Sequence, residues 1–237
     1  MMALTREHQL LGTFVALADS LVDDFDVVDV LQQLVDECIS LFDASAAGIL
    51  LLSPSNRLEV IVSTSERSEL VELMQLKAGA GPCVEAATTG EVVSVEDIDL
   101  VDDRWPAFAA DARVSGFSSI HAIPLRLRNS TLGSLNLLRD EPGALNAADA
   151  SAAQALADIA TISILQQRLV EEAELAQAQL QRALDSRVVI EQAKGYLAQR
   201  QNIDMDEAFA RIRTRARSTQ TRIGVVAADV IAGRLEL

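Results

Sequence analysis

The chain has 237 residues, 49% of them hydrophobic and 3% aromatic, with 35 Asp and Glu against 20 Lys and Arg for a net charge of −15. These values predict a soluble globular protein with cores of Leu, Val, Ile and Ala. Two distant cysteines (Cys38, Cys83) without a CxxC pair and two distant histidines (His8, His121) argue against a transition-metal centre. No stretch approaches the ~18 apolar residues of a membrane span and the N-terminus lacks a signal-peptide pattern, so a cytoplasmic protein with reduced thiols is expected.

Residues 6–22 read as a helix with an apolar stripe through Leu10, Phe14, Leu17 and Leu21. Asp23, Asp24 and Asp26 break it, and Asp26 can cap a second helix over 27–42. The period then changes. A continuous apolar run over 46–52, a polar SPSNR turn and an alternating run over 58–64 predict two antiparallel strands. A helix over 66–77 follows. Gly79 and Gly81 precede Pro82, which suits the first position of a short helix over 82–88, ended at Gly90. A short strand over 91–95, a helix over 106–114 and strands over 118–127 and 132–138 complete an α+β sandwich pattern. A very long helical pattern then begins near Ala147 and continues beyond Arg200.

Within that helix Leu165, Leu169, Ala173, Ala176, Leu180 and Leu184 recur at spacings of three and four. Such a seam suits a coiled coil in a homodimer, or one amphipathic helix lying on its own domain. After QNIDMDE, Asp204 or Asp206 can cap a helix over 205–218 with Met205, Ala208, Phe209, Ile212 and Ala216 inward. Thr219 or Thr221 can cap a last helix over 222–233. Helices this short must fold back onto the long one to bury a core, and Phe209 belongs to that core.

Charge divides the chain. Residues 179–237 net +3, whereas the remainder nets −18. A basic C-terminal part can approach a polyanion that the acidic part would repel. Arg211, Arg213, Arg215 and Arg217 alternate along one helix, and Arg187 and Lys194 lie two turns apart on the long one. Arginine's planar fork suits phosphate, although the same residues also suit a solvated, salt-bridged surface. P-loop, GxSxG, HExxH and histidine-kinase motifs are absent, so no enzyme is expected.

The segment 183–231 resembles an ANTAR domain, the RNA-binding output module of bacterial antitermination regulators. The resemblance rests on Ala183, Leu184, Ser186, Arg187, Ile190, Ala193, Lys194, Gly195, Asp206 to Phe209, Arg213, Ala216, Arg217 and Ala227. It implies binding of paired hairpins in nascent RNA, with Arg187, Lys194, Tyr196, Arg200, Arg213, Arg215, Arg217 and Arg222 as candidate contacts. Tyr196 can stack on a loop base or serve in packing. A DNA-binding regulator using the last two helices is the alternative.

The stretch from Leu76 to Arg139 resembles a GAF domain through Gly81, Pro82, Cys83, Glu85, Thr89, Gly90, Asp97, Arg104, Trp105, Pro106, Phe108, Gly116, Phe117, Ile123 to Leu125 and Leu132 to Leu137. That resemblance implies a sensory sheet covered by helices and a possible small-molecule ligand, with no cofactor evident. Cys83, Trp105 and His121 are the candidate pocket residues. Cys83 at a helix start is either an activated thiol or a small buried hydrophobe. His121 is a pocket ligand or a core histidine, and Trp105 lines a site or anchors a loop. Residues 1–165 form the expected GAF domain, and 166–237 the coiled-coil linker plus ANTAR domain.

Overall fold

A computed structural model of the protein describes residues 6–19, 26–128 and 130–237. The predicted tail of the first helix through Leu21, and the breakers Asp23 and Asp24, lie outside the described residues. The chain divides into two compact units, 1–168 and 169–237.

The first unit is built on a five-stranded antiparallel sheet in the order β2-β1-β5-β4-β3. Its strands are β1 (Ala46–Leu52), β2 (Leu58–Ser63), β3 (Val93–Val95), β4 (Ser119–Leu127) and β5 (Ser130–Arg139). Strand β1 is apolar throughout because both faces of the sheet are covered. Ala47, Ile49 and Leu51 meet the helices α1 (Arg6–Asp19), α2 (Val27–Phe42) and the start of α6 (Ala147–Gln201). Ala46 and Leu50 face the opposite core, which holds Val71, Cys83, Ala86, Phe108, Ala112 and Phe117. That second layer consists of α3 (Glu66–Ala78), α4 (Pro82–Thr89) and α5 (Pro106–Val114), with a single 3-10 turn at Ile98–Leu100.

Local chemistry sets the helix boundaries. The Asp26 carboxylate accepts from the Val28 N–H at 2.8 Å, which satisfies one of the orphan donors that open α2. Pro82 and Pro106 occupy the first turns of α4 and α5. Gly90 ends α4 at φ +71°, a conformation that side chains with a Cβ rarely adopt. Strand β3 is shorter than expected, because Glu91 and Val92 precede the pairing of Val93 with Ala122.

Gly133 leaves no room for a side chain in the sheet. It pairs with Leu51 on β1 and Leu125 on β4, and a Cβ there would collide with the Leu50 carbonyl. Gly133→Ala is therefore expected to cost about 3 kcal/mol through overpacking. The check is a urea midpoint lowered at unchanged slope; a wild-type midpoint would refute the close approach.

The second unit is a three-helix bundle of the end of α6, α7 (Met205–Ser218) and α8 (Ile223–Ile231). Its core is Ala193, Leu197, Ala208, Ile212, Ala216, Val226, Ala227 and Val230. Alanines at half of these positions let the helix backbones approach closely without aromatic filling. Asp204 caps α7 by accepting from the Glu207 N–H at 2.7 Å. The cap expected from Thr219 or Thr221 is not made. Arg222 occupies the N-cap position of α8, without a side-chain cap bond.

Gly195 lies within α6, which runs unbroken to Gln201. Every residue from 171 to 188 on it is exposed. Leu165, the first of the apolar seam, packs against the core of the first unit, whereas Leu169, Leu180 and Leu184 are 66%, 63% and 49% exposed. The long helix fits a coiled coil.

Candidate nucleic-acid interface and ligand cleft

The eight basic and aromatic residues expected at the C-terminal interface fall on different flanks of the bundle. On α7 the buried stripe is Ala208, Ile212 and Ala216, one residue per turn. At about 100° per residue, Arg213 and Arg217 lie to one side of that stripe, and Arg211 and Arg215 to the other. The long helix repeats the division around Ala193 and Leu197, placing Lys194 on one side and Tyr196 and Arg200 on the other.

The first flank is organised by Phe209. This ring was expected in the core, yet it is only half-buried, about 100° round the helix from the Ala208 stripe. Lys194 Nζ stands 5.5 Å from its centroid and the Arg213 guanidinium 5.7 Å, so cations from two helices converge on one aromatic ring. Arg217 follows Arg213 by one turn, and Arg187 precedes Lys194 by two turns on α6. Gly224, two residues beyond Arg222, packs on Ser186, which brings the start of α8 to the helix segment bearing Arg187.

The second flank is bound up with the chain's own residues 235–237. Arg200 donates to the Tyr196 hydroxyl at 2.7 Å and pairs with Glu236 at 3.1 Å. Arg211 donates to Gln201 Oε1 at 2.6 Å, and Gln201 in turn donates to the Leu237 carbonyl.

Ion pairing separates the cations further. Lys194, Arg200, Arg211 and Arg234 are paired with Glu191, Glu236, Glu207 and Asp229. Among the described residues Arg187, Arg213, Arg215, Arg217 and Arg222 are exposed and make no ion pair. The salt-bridged surface anticipated as one reading therefore holds for only part of the set. The Lys194 side chain is 16% exposed and Glu191 52%, whereas the Arg200–Glu236 pair is exposed on both sides and of a kind that contributes about 0–1 kcal/mol.

In the first unit, Cys83, Trp105 and His121 do not share a site. Cys83 and Trp105 lie in the core under α3 to α5. Cys83 is fully buried, and burial pushes its thiol well above the ordinary value, overriding the helix start that was expected to lower it. Gln75 clasps it, accepting from the Cys83 N–H at 3.0 Å and donating to Sγ at 3.2 Å. Trp105 anchors its loop: Arg104 stacks on the indole at 4.2 Å, and Phe108 meets it edge-on at 6.3 Å. His121 sits on the opposite sheet face. It alternates with Ile120 and Ala122, which face the Cys83 core, and its Nδ1 lies 3.1 Å from Ser94 Oγ. Burial lowers its pKa.

A cleft of about 940 Å³ opens instead between β2, α3 and α4. Its apolar walls are Leu58, Val60, Leu73, Leu76, Val84 and Ala87, with Arg57 and Lys77 among the polar lining. None of the three candidate residues lines it, although Val84 adjoins Cys83. The size falls in the range of about 300–1,000 Å³ usual for small-molecule sites.

A sheet unit with a cleft, one long helix and a helical segment over 179–237 that nets +3 follow one another along the chain, and together with two domain matches they mark a signal-responsive regulator. Two family models match accordingly: a GAF domain over residues 26–164 and an ANTAR domain over 178–231. The first match spans more than half of the chain, which belongs to the GAF domain family and carries an ANTAR domain beyond it. No curated protein matches. Among solved structures, a phycoerythrobilin-bound GAF domain from a cyanobacterial phytochrome aligns with TM-score 0.55 at 15% identity, over 72% of this chain and 100% of that one. A free methionine-R-sulfoxide reductase from Neisseria meningitidis, solved with its substrate, aligns with TM-score 0.54 at 18% identity, over 72% and 96%. The GAF domain from an Acinetobacter phosphoenolpyruvate-protein phosphotransferase gives 0.52 at 18%, over 68% and 95%. At such identities these likenesses establish the fold of the first unit alone. No helix among the described residues is long and apolar enough to cross a membrane.

Proposed function

We propose that this protein is a transcription antitermination regulator. Residues 1–165 sense a small molecule, and residues 166–237 pair two chains through α6 and grip two hairpins of a nascent transcript. The observation that carries the reading is the flank of Arg187, Lys194, Arg213 and Arg217 around Phe209, with three of its four cations unpaired. Guanidinium groups positioned this way meet phosphate with two parallel donors. A half-exposed aromatic between cations offers a platform for an unstacked loop base, which duplex RNA cannot present. The remaining candidates, Tyr196, Arg200, Arg215 and Arg222, supply secondary contacts.

The signal is assigned to the cleft beside α3 rather than to oxidation at Cys83, because a protonated buried thiol is a poor nucleophile. Duplex DNA read by α7 and α8 is the alternative. Competition between a paired-hairpin RNA and duplex DNA of equal charge, at one salt concentration, tests the choice. We expect RNA to win by at least about tenfold, more than the electrostatic attraction common to both acids; equal competition would overturn the RNA assignment.

A further inference from the structure

We propose that Glu72 is a proton-operated latch tying α3 to the sheet, so that loss of its proton releases one wall of the cleft. The helix packs the wrong way round for an amphipathic element. Its buried face carries Ser68, Glu72 and Gln75, at 0%, 0% and 1% exposure, while Leu70 and Leu73 are 47% and 46% exposed. Val71 is the buried apolar residue on this helix. What holds α3 is therefore mainly polar. Ser68 Oγ lies 2.6 Å from Ser63 Oγ, Gln75 clasps Cys83, and Glu72 Oε1 accepts from Asn136 Nδ2 at 2.8 Å.

The Glu72 contact is incomplete. Its Oε2, the Asn136 Oδ1 and the Ser134 Oγ are buried and without hydrogen-bond partners. A protonated carboxyl can donate as well as accept, whereas a carboxylate can only accept and carries a charge out of water. Gly48 makes room for the group, since a Cβ there would collide with Glu72 Oε1. The surroundings supply no counter-charge. Glu69 on the same helix and the Cys83 thiol on α4 are its titratable neighbours, and Asn136 on β5 and Ser63 on β2 its polar ones. Among the described residues no Lys or Arg pairs with it. Burial dominates and raises the carboxyl pKa to about 8, only partly opposed by the bonds from Asn136 and Ser63.

The folded chain thus keeps a proton that the unfolded chain has already lost. Stability falls as pH rises from the ordinary carboxylate range to about 8, and levels off above it. Above that point an unpaired charge lies between α3 and the sheet, and Leu73 and Leu76, on the same helix, line the cleft. The release of α3 stands by itself; only its link to sensing rests on the cleft being the ligand site.

Hydrogen exchange across residues 66–78 of the intact chain tests the latch, with β4 and β5 as internal reference. Between about pH 6 and 8, α3 in the wild type should lose at least about tenfold in protection relative to the reference, as each pH unit between the ordinary carboxylate range and about 8 shifts the balance by up to tenfold. Glu72→Gln cannot ionise and should show no relative loss. The same loss in Glu72→Gln, or none in the wild type, overturns the proposal. Should the variant not fold, ¹³C-glutamate titration of the wild type decides: one carboxyl titrating near 8 supports the latch, and all titrating in the ordinary range overturns it. These readouts need no ligand, so failure of the sensing assignment leaves them unaffected.

Discussion

Replacing Arg187, Lys194, Arg213 and Arg217 together with glutamine is expected to weaken binding of a paired-hairpin RNA by about a hundredfold or more near physiological salt. The expectation follows from counterion release: each lost phosphate contact lowers the salt slope by about one, and affinity is carried largely by such contacts. The logarithmic salt slope should accordingly flatten by about three to four. Folding should survive, because Arg187, Arg213 and Arg217 are exposed, where substitutions usually stay within about 0.5 kcal/mol, and glutamine keeps most of the stem of the less exposed Lys194. The opposite flank supplies the control. Arg200 is engaged with Glu236 and the Tyr196 hydroxyl, so Tyr196→Ala with Arg200→Gln should cost less than the first-flank set. Filter binding across a salt series is the measurement. Wild-type affinity in the quadruple variant, or a larger loss from the Tyr196 and Arg200 pair, would show that the wrong flank has been chosen.

The second large effect concerns α6. Leu169→Lys with Leu180→Lys places two charges in the exposed seam, where a paired helix would have to bury them. The variant should be monomeric by native mass spectrometry and should lose about 10²- to 10⁴-fold in affinity for a two-hairpin RNA, the range over which linked sites gain from effective concentration. Affinity for a single hairpin should be unchanged, since neither residue belongs to the ANTAR flank. That contrast separates loss of pairing from loss of fold. Unchanged two-hairpin affinity in a monomeric variant would refute the pairing of two RNA units through the stalk.

The two experiments probe different links in one chain of cause. Under the proposed function the first removes the local charge that would meet phosphate, and the second leaves that charge in place but removes the geometry that would let two units act together. The proposed regulator would change output without altering any RNA-contacting side chain, by altering how two copies pair along α6.

Much of the architecture was legible from the sequence. The apolar run of β1, the caps at Asp26 and Asp204, the proline starts of α4 and α5 and the small-residue pattern of the output helices are local signals, set by backbone sterics and unsatisfied helix-end donors. Both domain resemblances rest on such residue-by-residue patterns. Which buried face a residue occupies is a different matter, because it depends on partners distant in sequence. His121 and Ile120 are chain neighbours, yet one turns towards Ser94 and the other towards the Cys83 core. Phe209 fits an inward stripe by periodicity, but packing centred on the Ala208 row leaves it half-exposed between two cations. The alternating arginines on α7 spread round its polar circumference as their spacing implies, but only the packing of the Ala208 row divides them into two flanks. Glu72 shows the limit most clearly. In a segment of three spaced acids it reads as one more solvated carboxylate. Only docking of α3 against Gly48 and Asn136 removes it from water, and desolvation is a property of the assembled layers that no residue carries alone.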